Sequence, residues 1–82
     1  SFNEENKMIN KKLTDGFCVE FEEFDDGCNN AYLSKTINHR AYTGSLAYVE
    51  DCGQLDGGSG ATIDVPNSIL NMALKWAEKQ GY

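Results

Sequence analysis

The stretch Phe17–Gly27, FCVEFEEFDDG, constrains the fold most, because it combines a strand-like alternation with five carboxylates in seven residues. Side chains of a strand point alternately to two faces, so Phe17, Val19 and Phe21 share one side and Glu20 and Glu22 the other. The first set needs a core and the second needs water. A chain with this element must build a sheet covered on one side only. Strict alternation sends Phe24 to the side of Glu20 and Glu22. A β-bulge at Glu22–Glu23 returns it to the Phe17 face and is the expected arrangement, since an exposed Phe among acids has no structural purpose.

The rest of the chain supplies partners for this strand. With 82 residues the protein reads as one small domain, 1–82, with Ser1–Lys7 as a linker before a start at Met8 and residues 14–82 as the core. Residues 3–13 suggest a short helix, capped by Asn3, with Glu4 and Glu5 at its start and Lys11 and Lys12 at its end. Thr14-Asp15-Gly16 is a turn. Strands are expected at about 17–24, 31–38 and 41–50, joined by the turn formers Asp25–Asn30 and Asn38–Arg40. The second and third carry apolar groups on both faces. Four glycines in Cys52–Gly60 predict a mobile loop, and Ala61–Val65 a short fourth strand. A helix over 66–80 follows from Pro66 at its first turn, Gly81 after its end, and Ile69, Ala73 and Trp76 at helical spacing. The expected fold is α+β: a three- to four-stranded antiparallel meander with this helix packed on one face through Ile69, Ala73 and Trp76.

That topology gathers charge. Residues 15–64 hold ten acids against Lys35 and Arg40, a net of −8, whereas 1–14 and 65–82 each sum to +1. In a meander the first and third strands run the same way. Asp25 and Asp26 then end on the same edge as Glu50 and Asp51, roughly 10 Å apart at the usual inter-strand spacing. Asp56 leaves the glycine loop from that edge too. Like charges brought together oppose folding, so chance alone does not favour the arrangement. Loop ends are nonetheless the ordinary place for Asp and Glu, and the alternative is a charge that only keeps a small protein soluble. Glu20, Glu22, Asp25, Asp26, Glu50, Asp51 and Asp56 are the candidate partner-binding residues, with Tyr32 as the tyrosine expected at the surface beside them.

Other chemistry is weakly represented. Asp25–Asn30 lacks the spacing of a calcium loop, and no metal or cofactor is expected. His39 is the only histidine; of the three thiols only Cys18 lies on its side of the meander, and a cysteine in a strand is usually a small buried hydrophobe. The run Gly57–Gly60 lacks the Lys of a phosphate loop and precedes a strand. No catalytic residues are assigned, and no enzyme is expected. Three cysteines without CxxC spacing suit a reducing compartment with at least one free thiol, although Cys28 and Cys52 lie close enough in the meander to pair. The lack of a long apolar run predicts no membrane partner and a cytoplasmic location, the host cytoplasm if the protein is phage-encoded.

The negative body repels phosphate backbones, so direct nucleic-acid binding is not expected. The order helix, three strands, helix is shared with the double-stranded RNA-binding domain, but the basic start of that domain's last helix is here Asp64-Val65-Pro66-Asn67-Ser68. The expected function is that of a small acidic binding or inhibitor protein. It would present carboxylates to the basic nucleic-acid-binding groove of a protein partner, as anti-CRISPR or anti-restriction proteins of phages and mobile elements do. The alternative is a regulatory or antitoxin-type module that docks through a sheet edge or the helix.

Overall fold

A computed structural model describes residues 6–82. Strands β1 (Asn6–Lys12), β2 (Cys18–Phe24), β3 (Asn30–Ile37), β4 (Arg40–Ser45), β5 (Gln54–Gly58) and β6 (Ala61–Asp64) form one sheet. They lie in the order of the chain, each antiparallel to the next. Helix α1 (Leu46–Cys52) connects β4 to β5, and α2 (Asn67–Gln80) closes the chain. The α+β class and the C-terminal helix agree with the sequence. The strand count does not: six strands replace three or four.

The extra strands have identifiable causes. Of the helix expected over 3–13, residues 3–5 lie outside the described residues, and the rest is β1 and the residue after it. Lys7, Lys11 and Lys12 pair there with Glu23, Val19 and Cys18. Strand pairing with β2 is a long-range contact, and local spacing in 6–12 does not reveal it. The expected glycine loop is instead β5 and its turn. Gly57 lies where an added Cβ would come within 2.4 Å of the Tyr42 ring, so the missing side chain lets that ring sit on the strand. Arg40 Nη1 donates to the carbonyls of Gly57 and Gly58 at 3.1 and 3.2 Å, tying β5 to β4. Ser59 and Gly60, both at positive φ, form the two-residue turn into β6.

The strand expected over 41–50 stops at Ser45. The Ser45 hydroxyl accepts the Tyr48 N–H at 3.3 Å and starts α1; Gly53, at φ 74, ends it in the left-handed region. Leu46 and Val49, three residues apart, turn inward. The bulge at Glu22–Glu23 is also absent. β1 and β2 pair without interruption from Asn6↔Phe24 to Lys12↔Cys18, so Phe24 shares the side of Glu20 and Glu22. It remains half-buried there.

All core side chains lie on one side of the sheet. Phe17, Val19, Phe21, Ala31, Leu33 and Leu55 project from the strands and their approaches, and Leu46, Val49, Val65, Ile69, Ala73 and Ala77 cover them. Gly44 leaves room for Val49 and Leu55, which would stand 3.0 and 3.3 Å from an added Cβ. α2 runs from the end of β6, where the Val65 N–H meets the Gly53 carbonyl at 2.9 Å, to the β2–β3 loop, where Asn29 Nδ2 donates to the Gly81 carbonyl at 3.3 Å. Its buried positions are Ile69, Ala73 and Ala77; Trp76 is only half-buried at the margin, so Ala77 takes the core role expected of Trp76.

Four substitutions test this packing. Leu33→Ala, at the centre of the sheet with no exposed surface, is expected to cost about 2–5 kcal/mol in urea unfolding, and Trp76→Ala less. Gly57→Ala should cost about 1–3 kcal/mol by overpacking against Tyr42, and Tyr42→Ala in the same chain should reduce that increment in a double-mutant cycle.

Candidate functional site: an uncovered acidic sheet face

Among the described residues, no helix lies on the second face of the sheet. Its side chains follow from register. Glu22 lies between Met8 and Asn30, and Glu20 between Asn10 and Tyr32, with Ser45 beyond Tyr32. A third row runs Lys12, Cys18, Ser34, Thr43, Asp56 and Thr62 across all six strands. Directly opposed side chains in such rows are about 5 Å apart, so Tyr32 stands beside Glu20 within reach of one bound group. Asp64 ends the face at β6, where its Oδ1 accepts Gln54 Nε2 at 3.1 Å. Among the described residues, Lys12 is the one basic residue that register places here, against Glu20, Glu22, Asp56 and Asp64.

The expected residues divide between this face and one end of the sheet. Glu20, Glu22 and Tyr32 lie on the face, each half-buried by its strand neighbours. Asp56 does not leave from the edge as expected. Pairing with Thr43 places it in mid-face, where its Oδ1 accepts the Gly58 N–H at 2.9 Å. Asp25 and Asp26 occupy the β2–β3 turn, closed by the Gly27 N–H on the Phe24 carbonyl at 3.0 Å and the Cys28 N–H on Asp26 Oδ1 at 2.9 Å. Glu50 and Asp51 are exposed on α1, not at a strand end. Because α1 follows the end of β4, which runs parallel to β2, both pairs of acids remain at the same end of the sheet. The Asn29–Gly81 hydrogen bond fastens that end to the C-terminus. Partial burial raises the phenol pKa of Tyr82 above the ordinary tyrosine value, and the nearby charge of Glu50 adds to the effect.

Sequence reasoning missed one feature of α1. Tyr48, 51 % exposed on α1, has its phenol pKa raised above the ordinary range. Its hydrogen bond and charge interaction with Cys52, one turn later, act most strongly; desolvation and Asp56 add smaller pushes in the same direction. The Ser45 cap and the Tyr48–Cys52 spacing of four were the available signal. Cys18, Cys28 and Cys52 are all unpaired, the last two exposed. His39 sits at the tip of the β3–β4 hairpin, at φ 69. Among the described residues no three His, Cys, Asp or Glu side chains converge as a metal site, and no helix is long and apolar enough to cross a membrane.

What the face offers is a row-by-row array of hydrogen-bond acceptors, with one aromatic ring and several hydroxyls between them. It suits lysine and arginine side chains, which only donate. Comparison with protein-family models, with curated proteins and with solved structures finds no match to this chain.

Because the core lies wholly on the other side, Glu20→Gln and Glu22→Gln together should change unfolding free energy by no more than about 0.5 kcal/mol each. In a tyrosinate absorbance titration, Cys52→Ala should bring the Tyr48 transition down toward the ordinary value. The raised phenols also set a sign. The unfolded chain ionises first, so their contribution is intact below the ordinary tyrosine pKa and is lost as pH rises through the folded-state value.

Proposed function

We propose that this chain is a non-enzymatic binding protein that presents its uncovered sheet face and the adjoining Asp25–Asp26 turn to a basic groove of a protein partner. The observation that carries the reading is the charge of that face, with four carboxylates against Lys12 on a surface the fold does not need for its core. Charged groups that do no packing work are free to serve encounter and recognition. Six strands at about 4.8 Å spacing make a plane roughly 24 Å across, broad enough to fill a groove shaped for nucleic acid. Glu50 and Asp51 on α1 add negative charge at the end of the sheet that carries the Asp25–Asp26 turn, and Tyr32 supplies an aromatic anchor of the kind that dominates interface energetics.

A partner that handles nucleic acid has such a groove. By analogy of size and charge alone, phage and mobile-element proteins that block restriction or CRISPR complexes work in this way, in the cytoplasm of the host. The second reading, a regulatory or antitoxin-type module, is favoured by one observation. β1 is an edge strand on which Met8 and Ile9 are 53 % and 43 % exposed, a surface suited to strand addition.

The deciding experiment is competition. After capture of the partner at low and high salt, a labelled oligonucleotide bound to it should be displaced stoichiometrically by this protein. Reversing Glu20, Glu22, Asp25 and Asp26 to Lys should weaken that displacement by about 100-fold or more while circular dichroism is unchanged. Simultaneous binding of oligonucleotide and protein, or full activity of the quadruple variant, would overturn mimicry and point to the β1 edge.

A further inference from the structure

The molecule is acidic, yet three of its seven basic residues converge at one place. Lys11, at the helix side of β1, meets Lys75 and Lys79 of α2 around a cleft of ≈ 210 Å³ floored by Leu13, Met72 and Trp76. None of the residues lining it is acidic. All three lysines are exposed, while Leu13 and Trp76 are half-buried against the core and Met72 is 38 % exposed.

The geometry points to a binding site for a small amphipathic anion, with an aromatic or alkyl body and a carboxylate or similar acidic head. Three arguments lead there. A rim of like charges repels itself in the empty state, and an anion relieves that repulsion. An apolar floor of Trp, Leu and Met gains from an apolar body, and tryptophan offers a flat face for stacking. The volume exceeds the roughly 150 Å³ that an engineered cavity offers to benzene and is below the roughly 300 Å³ at which drug-sized sites begin. The site opens on the helical side of the sheet, opposite the acidic face, so its occupation does not compete with a partner docked there.

The single tryptophan makes the site its own reporter. Anilinonaphthalene sulfonate, an aromatic anion, should bind the folded protein at one site, its emission excited by energy transfer from Trp76. N-phenylnaphthylamine, the uncharged analogue, should bind about ten-fold more weakly, and Lys75→Gln with Lys79→Gln should weaken the sulfonate by about ten-fold while leaving the analogue unchanged. Both lysines are exposed, so the double variant should fold normally, which circular dichroism checks. Decanoate should displace the dye. Equal affinity for the charged and uncharged dyes, an unchanged sulfonate affinity in the lysine variant, or displacement by an acidic hexapeptide but not by decanoate would each overturn the assignment.

Discussion

Pairing of β2 with β3 brings Val19 opposite Leu33 and Phe21 opposite Ala31, and all four side chains are buried. The remaining architecture depends on this apolar patch, because it can be covered from one side only. Leu46 and Val49 of α1 and Ile69, Ala73 and Ala77 of α2 supply the cover, and each helix ends where a glycine in the left-handed region lets the chain turn away. In a chain of this size a single such core must carry most of the stability. Among the described residues, nothing apolar of comparable extent remains to recruit a second layer.

One-sided coverage then sorts the charges. A one-residue change of register would turn Glu20 and Glu22 into the core, where an unpaired carboxylate is prohibitively costly. The carboxylates therefore disfavour the shifted register, while the buried phenylalanines favour the observed one. The same alternation that sends Lys12 to the open face sends Lys11 to the helical side, beside the lysines of α2. The outcome is an acidic open face on one side of the sheet and a lysine-rimmed cleft on the other. Two proposed binding surfaces of opposite sign follow from a single pattern of alternation.

The faces of β2 and the position of α2 were legible in the sequence because period-two and helical spacing are local properties. The carboxylates of Glu20 and Glu22 were assigned to the open side correctly for that reason. β1 was not legible. Its lysines suit the end of an isolated helix, and only pairing with β2 makes the segment a strand. β5 was hidden by Gly57 and Gly58, which read as flexibility until Tyr42 and Arg40 are placed over them. α1 had a visible signal in Ser45, Leu46, Val49 and Gly53, but the alternation of Tyr42 to Val49 fits a strand equally well. Phe24 departs from the bulge expected of it, because the uninterrupted pairing with β1 shelters its ring by half on the face of Glu20 and Glu22.

By itself the sequence determined that β2 has one apolar and one acidic side, that a helix closes the chain, and that the negative charge belongs to the middle of the chain. These properties rest on nearest-neighbour geometry, which any strand or helix obeys. Tertiary structure alone decided how many strands the sheet has, that Asp56 lies in mid-face, and that Lys11, Lys75 and Lys79 meet around Trp76. Those outcomes depend on which strand pairs with which and on what fills the space above a glycine, energies that arise only when distant segments touch.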